Sequence, residues 1–211
     1  MKGALPMLTR RNSLLLIAAT LGLAACGGGN WETSYTPVAA PAANFRLAAV
    51  SVTVPNTLTV SESETVYVPK ADIVWVEEPA GDRRAQVKAI FEEGISAGAS
   101  GLRGATPVRI EAVVQKFHAL NMKSRYSAPA GTGVYDIAFV ARIVDARTGA
   151  VLVPDQLIRA DAPALTGAAG AQEQAQGKTQ RKANVAQISA TIAGWLGLGP
   201  DNRTSFRRMG G

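Results

Sequence analysis

Few side chains in this sequence have the types and spacing that catalysis requires. His118 is the only histidine in the chain, and a general base must lie within hydrogen-bonding distance of the proton that it removes. His118 falls in a β-forming run, residues 112–120, where we expect it to face solvent or a turn. Glu77 and Glu78 are adjacent carboxylates, but neighbouring residues of a strand point to opposite faces, so they cannot act together as acid and base.

The chain also has no motif for a nucleophile, a phosphate or a metal. No nucleophile elbow, phosphate-binding loop or metal-ligand spacing occurs in the sequence. Gly94, Gly98, Gly101 and Gly104 end a predicted helix and lack the preceding strand that a phosphate-binding loop requires. We therefore expect no enzymatic activity, no cofactor and no metal.

The single cysteine, Cys26, follows an export signal. Three basic residues, Lys2, Arg10 and Arg11, precede an apolar run of twelve residues, 14–25. A permanent transmembrane helix needs about 20 apolar residues, so this run is too short to span a bilayer. Residues 1–25 are therefore predicted to be a signal peptide that is removed from the mature protein.

The end of the signal, Leu23, Ala24, Ala25 and Cys26, resembles the lipobox of bacterial lipoproteins. The resemblance implies cleavage before Cys26, a diacylglyceryl group on its sulfur and an acyl chain on its amino group. Stable anchoring takes at least two acyl chains, so three would hold the protein firmly. Gly27 follows the cysteine, and by resemblance to the enteric sorting rule this favours the periplasmic face of the outer membrane over retention in the inner membrane. The alternative is an ordinary secretory signal followed by a free cysteine, which would itself need an explanation.

Two export routes stay open. Residues 9–14, TRRNSL, partly resemble a twin-arginine motif, which would imply export of a folded chain. Ser13 stands where that motif has an aromatic residue. Basic residues are expected in this part of any signal, so the general secretory route is favoured.

The net charge of the mature chain is small. Residues 1–25 carry three basic and no acidic side chains, so their removal lowers the formal charge from +6 to +3. A nucleic-acid-binding protein would need basic residues clustered on one face, and we expect no nucleic-acid partner. With one cysteine, the domain must be stabilised by a packed core, which a 47% hydrophobic composition can supply.

Composition divides the mature chain into three parts. Residues 26–44 are rich in glycine, proline and alanine and are predicted to form a lipidated flexible tether, at most about 65 Å long. Trp31 and Tyr35 in this tether would rest at the lipid interface or bind a partner. Residues 45–199 are predicted to form the periplasmic domain, and residues 200–211 a disordered basic tail.

The domain alternates between the two hydrophobic periods. Residues 82–97 and 171–196 carry apolar stripes of helical period, with Asp82 capping the first helix and Trp195 in the core through the second. Six segments have the composition or alternation of strands: 47–54, 65–68, 73–76, 107–120 with a bulge near Lys116, 134–144 and 151–158. We predict an α+β fold, an antiparallel sheet formed by a three-strand meander plus N-terminal strands, with two helices largely on one face.

Three cations, Lys116, Lys123 and Arg125, lie in or near the predicted polar loop 121–133. They would form a small basic surface for an anionic headgroup. The favoured alternative is a solvated loop, because surface loops usually carry exposed lysine and arginine.

The segments VSVTVPNTLTVSE, ADIVWVEEPAGDRRAQV and DARTGAVL resemble an uncharacterised family of bacterial lipoproteins known from alphaproteobacterial-type genomes. The order of elements, with an Asp-x-x-Thr-Gly turn, more remotely resembles small envelope accessory lipoproteins such as auxiliary components of lipid-transport systems. The first resemblance brings no function with it, and the second is one of architecture. Because the chain has one histidine, no usable thiol and a predicted lipid anchor, we predict a membrane-anchored protein that acts by binding an envelope protein partner, as an accessory component of an envelope assembly. The alternative is a carrier or sensor of a small apolar ligand or lipid, bound between the helices and the sheet.

Overall fold

A computed structural model describes residues 29–209, which form a nine-stranded sheet and four α-helices. The helices are α1 (Arg83–Gly98), α2 (Met122–Ser127), α3 (Gly167–Ala175) and α4 (Gln180–Trp195), and a 3-10 helix spans Ala40–Asn44. The strands are β1 (Gly29–Ser34), β2 (Phe45–Thr53), β3 (Val60–Ser61), β4 (Ile73–Val74), β5 (Thr106–His118), β6 (Val134–Asp145), β7 (Val151–Ala160), β8 (Ala162–Pro163) and β9 (Thr204–Arg208).

The sheet is mixed rather than antiparallel. Its strand order is β3, β4, β5, β6, β7, β1, β9, with β2 also paired to β5 and β8 to β6. β2 and β4 run parallel to β5, whereas β5, β6 and β7 are antiparallel neighbours. The α+β prediction is confirmed, but an antiparallel sheet built on a three-strand meander is wrong as a description of the whole. The reason is α1, which lies between β2 and β5 in the chain and returns the polypeptide in the parallel direction.

β6 separates a core face from an open face. Tyr135, Ile137, Phe139, Ala141 and Ile143 alternate along β6 and all belong to the core. The opposite face of the sheet is open to solvent, since Val113 on β5 is 37% exposed and Leu157 on β7 is 57% exposed. The predicted bulge is confirmed by a register shift between Val114 and Lys116.

Helices α1 and α4 pack together over the core face. Asp82 caps α1, as predicted, by accepting a hydrogen bond from the Ala85 amide. The two helices approach closely at Gly94, where an added Cβ would lie 2.8 Å from Cβ of Ile188. Trp195 at the end of α4 is fully buried, which confirms its predicted place in the core. The predicted stripe on α1 is buried at all five positions, Val87, Ile90, Phe91, Gly94 and Ile95.

Three local predictions are wrong. The single helix predicted over 171–196 is two helices, α3 and α4, separated at Gly177, whose φ of 71° an α-helix cannot contain. The loop predicted over 121–133 contains α2, which Asn121 caps by accepting a hydrogen bond from the Ser124 amide. The extended piece predicted at 65–68 is not a strand, and β3 at Val60–Ser61 pairs with β4 instead.

The predicted tether and tail form two paired strands. Residues 29–33 of β1 pair antiparallel with residues 204–208 of β9, and β1 also pairs with β7. Tyr35 is buried, and its hydroxyl donates to Asp201 Oδ1 (3.1 Å) and accepts from the Asn202 amide (2.9 Å). Residues 29–44 are therefore not the flexible tether that was predicted, and residues 204–208 are not a disordered tail. Each strand is ordered by a partner far away in sequence, which composition cannot reveal.

Candidate functional site

The open face of the sheet carries two clusters of charged side chains. The first, the edge cluster, comprises Arg109, Glu111 and Arg142, with Asp155 at its margin. The second, the central cluster, comprises Lys116, Asp136, Arg159 and Asp161. Residues two apart on a strand share a face, so β5, β6 and β7 place these side chains together.

The edge cluster lines a surface pocket of about 350 Å³ beside β2. Glu111 accepts hydrogen bonds from Arg109 Nε (2.8 Å) and Arg142 Nε (2.7 Å). These hydrogen bonds hold the pKa of Glu111 below its ordinary value, so the carboxylate stays ionised at neutral pH. The pocket can offer polar and charged groups to a partner. Its lining is Ser51, Thr53, Glu111, Ala112, Val113, Val140, Arg142 and Asp155.

The central cluster joins β1 to the middle of the sheet. Asp136 is 3% exposed and accepts from Lys116 Nζ at 2.6 Å and Arg159 Nη2 at 3.3 Å. Asp161 is 1% exposed and accepts from the amides of Glu32 (3.1 Å) and Ile137 (3.0 Å) and from Arg159 Nη2 (2.9 Å). Burial raises the pKa of Asp161, against the lowering effect of these hydrogen bonds. Both aspartates are occupied by partners within the protein, so the cluster holds strands together.

Sequence reasoning missed the central cluster. Asp161 lies in an alanine- and proline-rich segment, residues 160–171, that contains β8. The signal was a lone acidic residue directly after a strand, in a segment otherwise poor in charge. Its partners Glu32 and Ile137 are distant in sequence, so the sequence offers the candidate but not its role.

His118 is buried and faces a loop rather than solvent, the first of its two predicted environments. It is 3% exposed at the end of β5, and its Nε2 lies 3.0 Å from the carbonyl oxygen of Pro69. The loop containing Pro69 covers it. Nδ1 has no hydrogen-bond partner within the described range, and burial lowers the pKa of the ring. The neutral imidazole therefore contributes to packing and to holding the loop.

Glu77 and Glu78 both hold the start of α4. The Glu77 carboxylate accepts from the amides of Gln180 and Arg181, each at 2.7 Å. Glu78 Oε1 pairs with Arg181 Nη1 at 3.1 Å. A carboxylate at a helix N-terminus satisfies free amides and complements the helix dipole.

The three cations predicted near one loop do not form a basic surface. Lys116 belongs to the central cluster, and Lys123 Nζ donates to the Thr65 carbonyl oxygen at 2.6 Å, lying 5.0 Å from the centre of the Tyr67 ring. Arg125 is 1% exposed and donates to the Tyr135 hydroxyl at 3.3 Å. Burial raises the pKa of Tyr135 to about 12. The three cations therefore share no basic surface, and the favoured interpretation, a solvated loop, is wrong for Arg125.

An apolar groove lies where β6 begins and β9 ends. It has a volume of about 200 Å³, below the range of about 300 to 1,000 Å³ typical of small-molecule sites. Tyr67 and Val68 on its rim are 45% and 48% exposed, and Met209 is 80% exposed. The lining is Tyr67, Val68, Leu120, Ser124, Ala128, Pro129, Thr132, Gly133, Thr166 and Met209.

The predicted lipid-attachment residue, Cys26, lies outside the described residues. Trp31, predicted in a tether, is part of β1 opposite Phe206, and its Nε1 donates to the Arg208 carbonyl oxygen at 3.3 Å. Within residues 29–209 none of the helices has the length and hydropathy of a membrane span. In the same range, no cluster of three or more histidine, cysteine and acidic side chains is arranged to hold a metal ion.

Remote similarity links the chain to several solved structures. A candidate lipoprotein of Caulobacter crescentus is 15% identical, with a TM-score of 0.31, over 52% of this chain and 83% of its own. A PelC dodecamer from Paraburkholderia phytofirmans is 12% identical, with a TM-score of 0.33, over 79% of this chain and 97% of its own. A DUF330 protein of Xanthomonas campestris is 15% identical, with a TM-score of 0.42, over 76% of this chain and 88% of its own. Because these identities and TM-scores are low, they support no conclusion about the function of this chain.

No curated protein matches the sequence. A family model does match, and it covers residues 45–211, from the first residue of β2 onward. This range is most of the chain, and the protein belongs to the Family of unknown function (DUF6778).

Proposed function

We propose that the protein is a bacterial envelope lipoprotein that acts by binding a protein partner, as an accessory component of an envelope assembly. Its anchor is the set of acyl chains on Cys26, and its place is the periplasmic face of the outer membrane. Support for the anchor comes from the lipobox and from Cys26 being the only cysteine. Support for binding comes from the filled core and the exposed edge of the sheet.

The filled core is the observation that carries this proposal over the alternative, a carrier of an apolar ligand between the helices and the sheet. Phe91 packs edge to face against Phe117 and Phe139, with ring centroids 5.9 and 5.3 Å apart. At Gly94 and Gly98, helices α1 and α4 are too close for even a methyl group. Four surface pockets in the described residues have no residue of α1 in their linings. A carrier would need a sizeable cavity at that place.

The β2 edge is the surface that suits a protein partner. β2 is nine residues long and, among the described strands, pairs only with β5. Arg46 is its only charged residue. Long edge strands usually carry charges or proline to prevent pairing with other chains, so a nearly uncharged edge suits an added strand. Ser51 and Thr53 lead from this edge into the pocket of the edge cluster.

The position of β1 restricts where the partner can lie. Cys26 is three residues before Gly29, a span of at most about 11 Å. The anchored domain would therefore stay close to the membrane instead of reaching outward on a long tether. The partner would be a membrane protein or another protein held at the same surface.

Crosslinking in intact envelopes tests the proposal. The wild-type protein should capture a specific partner, and Ser51→Lys should lose that capture because it adds a charge to the β2 edge. Ser205→Lys is the matched control, since Ser205 is also an exposed serine on a strand of the open face. Cys26→Ser should lose most of the capture, because anchoring raises the effective concentration of the domain.

Two outcomes would contradict this proposal. Equal capture by the wild type, Ser51→Lys and Ser205→Lys would exclude the β2 edge. Recovery of the domain alone, with a stoichiometric lipid, would favour the carrier.

A further inference from the structure

We propose that the apolar groove beside Met209 is a membrane-docking surface that rests on the bilayer holding the acyl chains of Cys26. This inference rests on the proposed acylation of Cys26. It goes further, because it assigns an orientation to the domain: the groove faces lipid, and the hairpin between β6 and β7 points away from it.

The segment that leads to the anchor meets the domain beside the groove. Gly29 pairs with Arg208, the residue before Met209. Arg208 in turn donates through Nη1 to the carbonyl oxygens of Gly133 (3.1 Å) and Ala164 (2.9 Å). Gly133 and Met209 both line the groove. Because Cys26 precedes Gly29 by only three residues, about 11 Å at most, anchoring brings this end of the domain to the lipid surface.

The groove has the composition of a surface that contacts lipid. Three of its lining residues, Tyr67, Val68 and Met209, are large hydrophobic side chains that are 45% to 80% exposed. Exposed apolar side chains gathered in this way mark an interaction site rather than ordinary surface. Four further exposed hydrophobic side chains lie within two residues of a lining residue along the chain: Val66, Met122, Tyr126 and Leu165.

Charge and aromatic character favour the lipid interface. Tyr67, on the rim of the groove, has an apolar ring and a polar hydroxyl, which suits the boundary between acyl chains and headgroups. Lys123, above the Tyr67 ring, places a cation at the same level, although Glu64 accepts a hydrogen bond from its amide at 3.0 Å. A soluble partner would have to displace lipid to reach a groove so close to the anchor, so the bilayer is the occupant.

Site-directed labelling of the mature lipoprotein tests this orientation. In the acylated protein Cys26 has no free thiol, so one introduced cysteine takes all of an environment-sensitive fluorophore. Val68→Cys places the fluorophore at the groove, and Val151→Cys places it on the opposite hairpin; the two valines are 48% and 55% exposed. Leu165→Cys and Leu152→Cys form a second pair, both 40% exposed. Each protein is reconstituted into phosphatidylethanolamine and phosphatidylglycerol vesicles, with and without doxyl-labelled lipid.

We expect the emission at positions 68 and 165 to shift to shorter wavelength and to lose most of its intensity with doxyl-labelled lipid. Positions 151 and 152 should keep the emission of a solvated fluorophore. Equal quenching at both ends, or at neither end, would overturn the proposal while leaving an acylated Cys26, and with it the proposed anchor, intact. A shift at position 68 without quenching would place protein on the groove and would also overturn it. An unacylated Cys26, detected by the mass of the same sample, would overturn both proposals.

Discussion

Replacement of Trp195 measures how well the core is filled. Trp195 is fully buried at the end of α4, so Trp195→Ala removes a large ring and leaves a cavity. Such changes cost about 3 to 5 kcal/mol. For a domain of this size each kcal/mol lowers Tm by about 2 to 4 °C, which gives an expected loss of about 6 to 20 °C. Thermal unfolding followed by circular dichroism measures this loss.

Trp195→Phe separates volume from hydrogen bonding. Trp195 Nε1 has no hydrogen-bond partner among the residues that the structure describes. An unsatisfied buried donor costs about 1 to 3 kcal/mol, so its removal offsets the lost volume, and the net change should stay within about 1 kcal/mol. Trp31→Ala, in the partly exposed strand β1, should cost less than Trp195→Ala. An unchanged Tm for Trp195→Ala would refute the filled core and place α4 on a membrane or partner surface.

Three further substitutions test the contacts that hold the site in place. Glu77→Gln weakens the hydrogen-bond acceptor at the start of α4 and should lower the free energy of unfolding, measured in urea, by about 1 to 2 kcal/mol. An unchanged free energy of unfolding would exclude this capping role. Burial lowers the pKa of His118 below its ordinary 6.5, so the unfolded state binds the proton first. The free energy of unfolding should therefore fall as pH drops below 6.5, and His118→Gln should reduce that fall; an identical pH profile would contradict it. Asp161→Asn places a side-chain amide group beside the Glu32 amide and the Arg159 guanidinium, both of which are donors, and should lower the free energy of unfolding by about 2 to 4 kcal/mol. Hydrogen exchange at the Glu32 amide should become faster, and unchanged exchange would contradict this role of Asp161.

Periodic segments were predictable from the sequence, and pairings were not. The helix at 83–98, the β5 bulge and the buried alternation of β6 follow from local hydrophobic patterns. The direction of β2 does not, because the same alternation fits a parallel and an antiparallel neighbour. β1 and β9 were missed for a related reason. Their glycine and arginine residues are typical of flexible chain ends, and only the pairing of each strand with a distant partner orders them. The quoted segments predicted a family without a known function, and the family match confirms that part of the prediction.

The candidate site was less predictable than the fold. The charges of the edge cluster are ordinary strand residues in the sequence, and only the register of β5 with β6 places Glu111 opposite Arg142. His118 was expected to face solvent or a turn, and the loop that covers it, with Pro69, is distant in sequence. The groove is formed by residues from distant parts of the chain, from Tyr67 to Met209, so no local sequence pattern predicts it.

The intact mass of the protein extracted from cells is the most direct test of the central claim, a lipid-anchored binding protein. We expect a chain that begins at Cys26 and carries three acyl chains, and a Cys26→Ser variant that carries no lipid and leaves the membrane fraction. A wild-type chain with a free thiol at Cys26 would exclude the lipid anchor, as would a Cys26→Ser variant that stays membrane-bound at high salt.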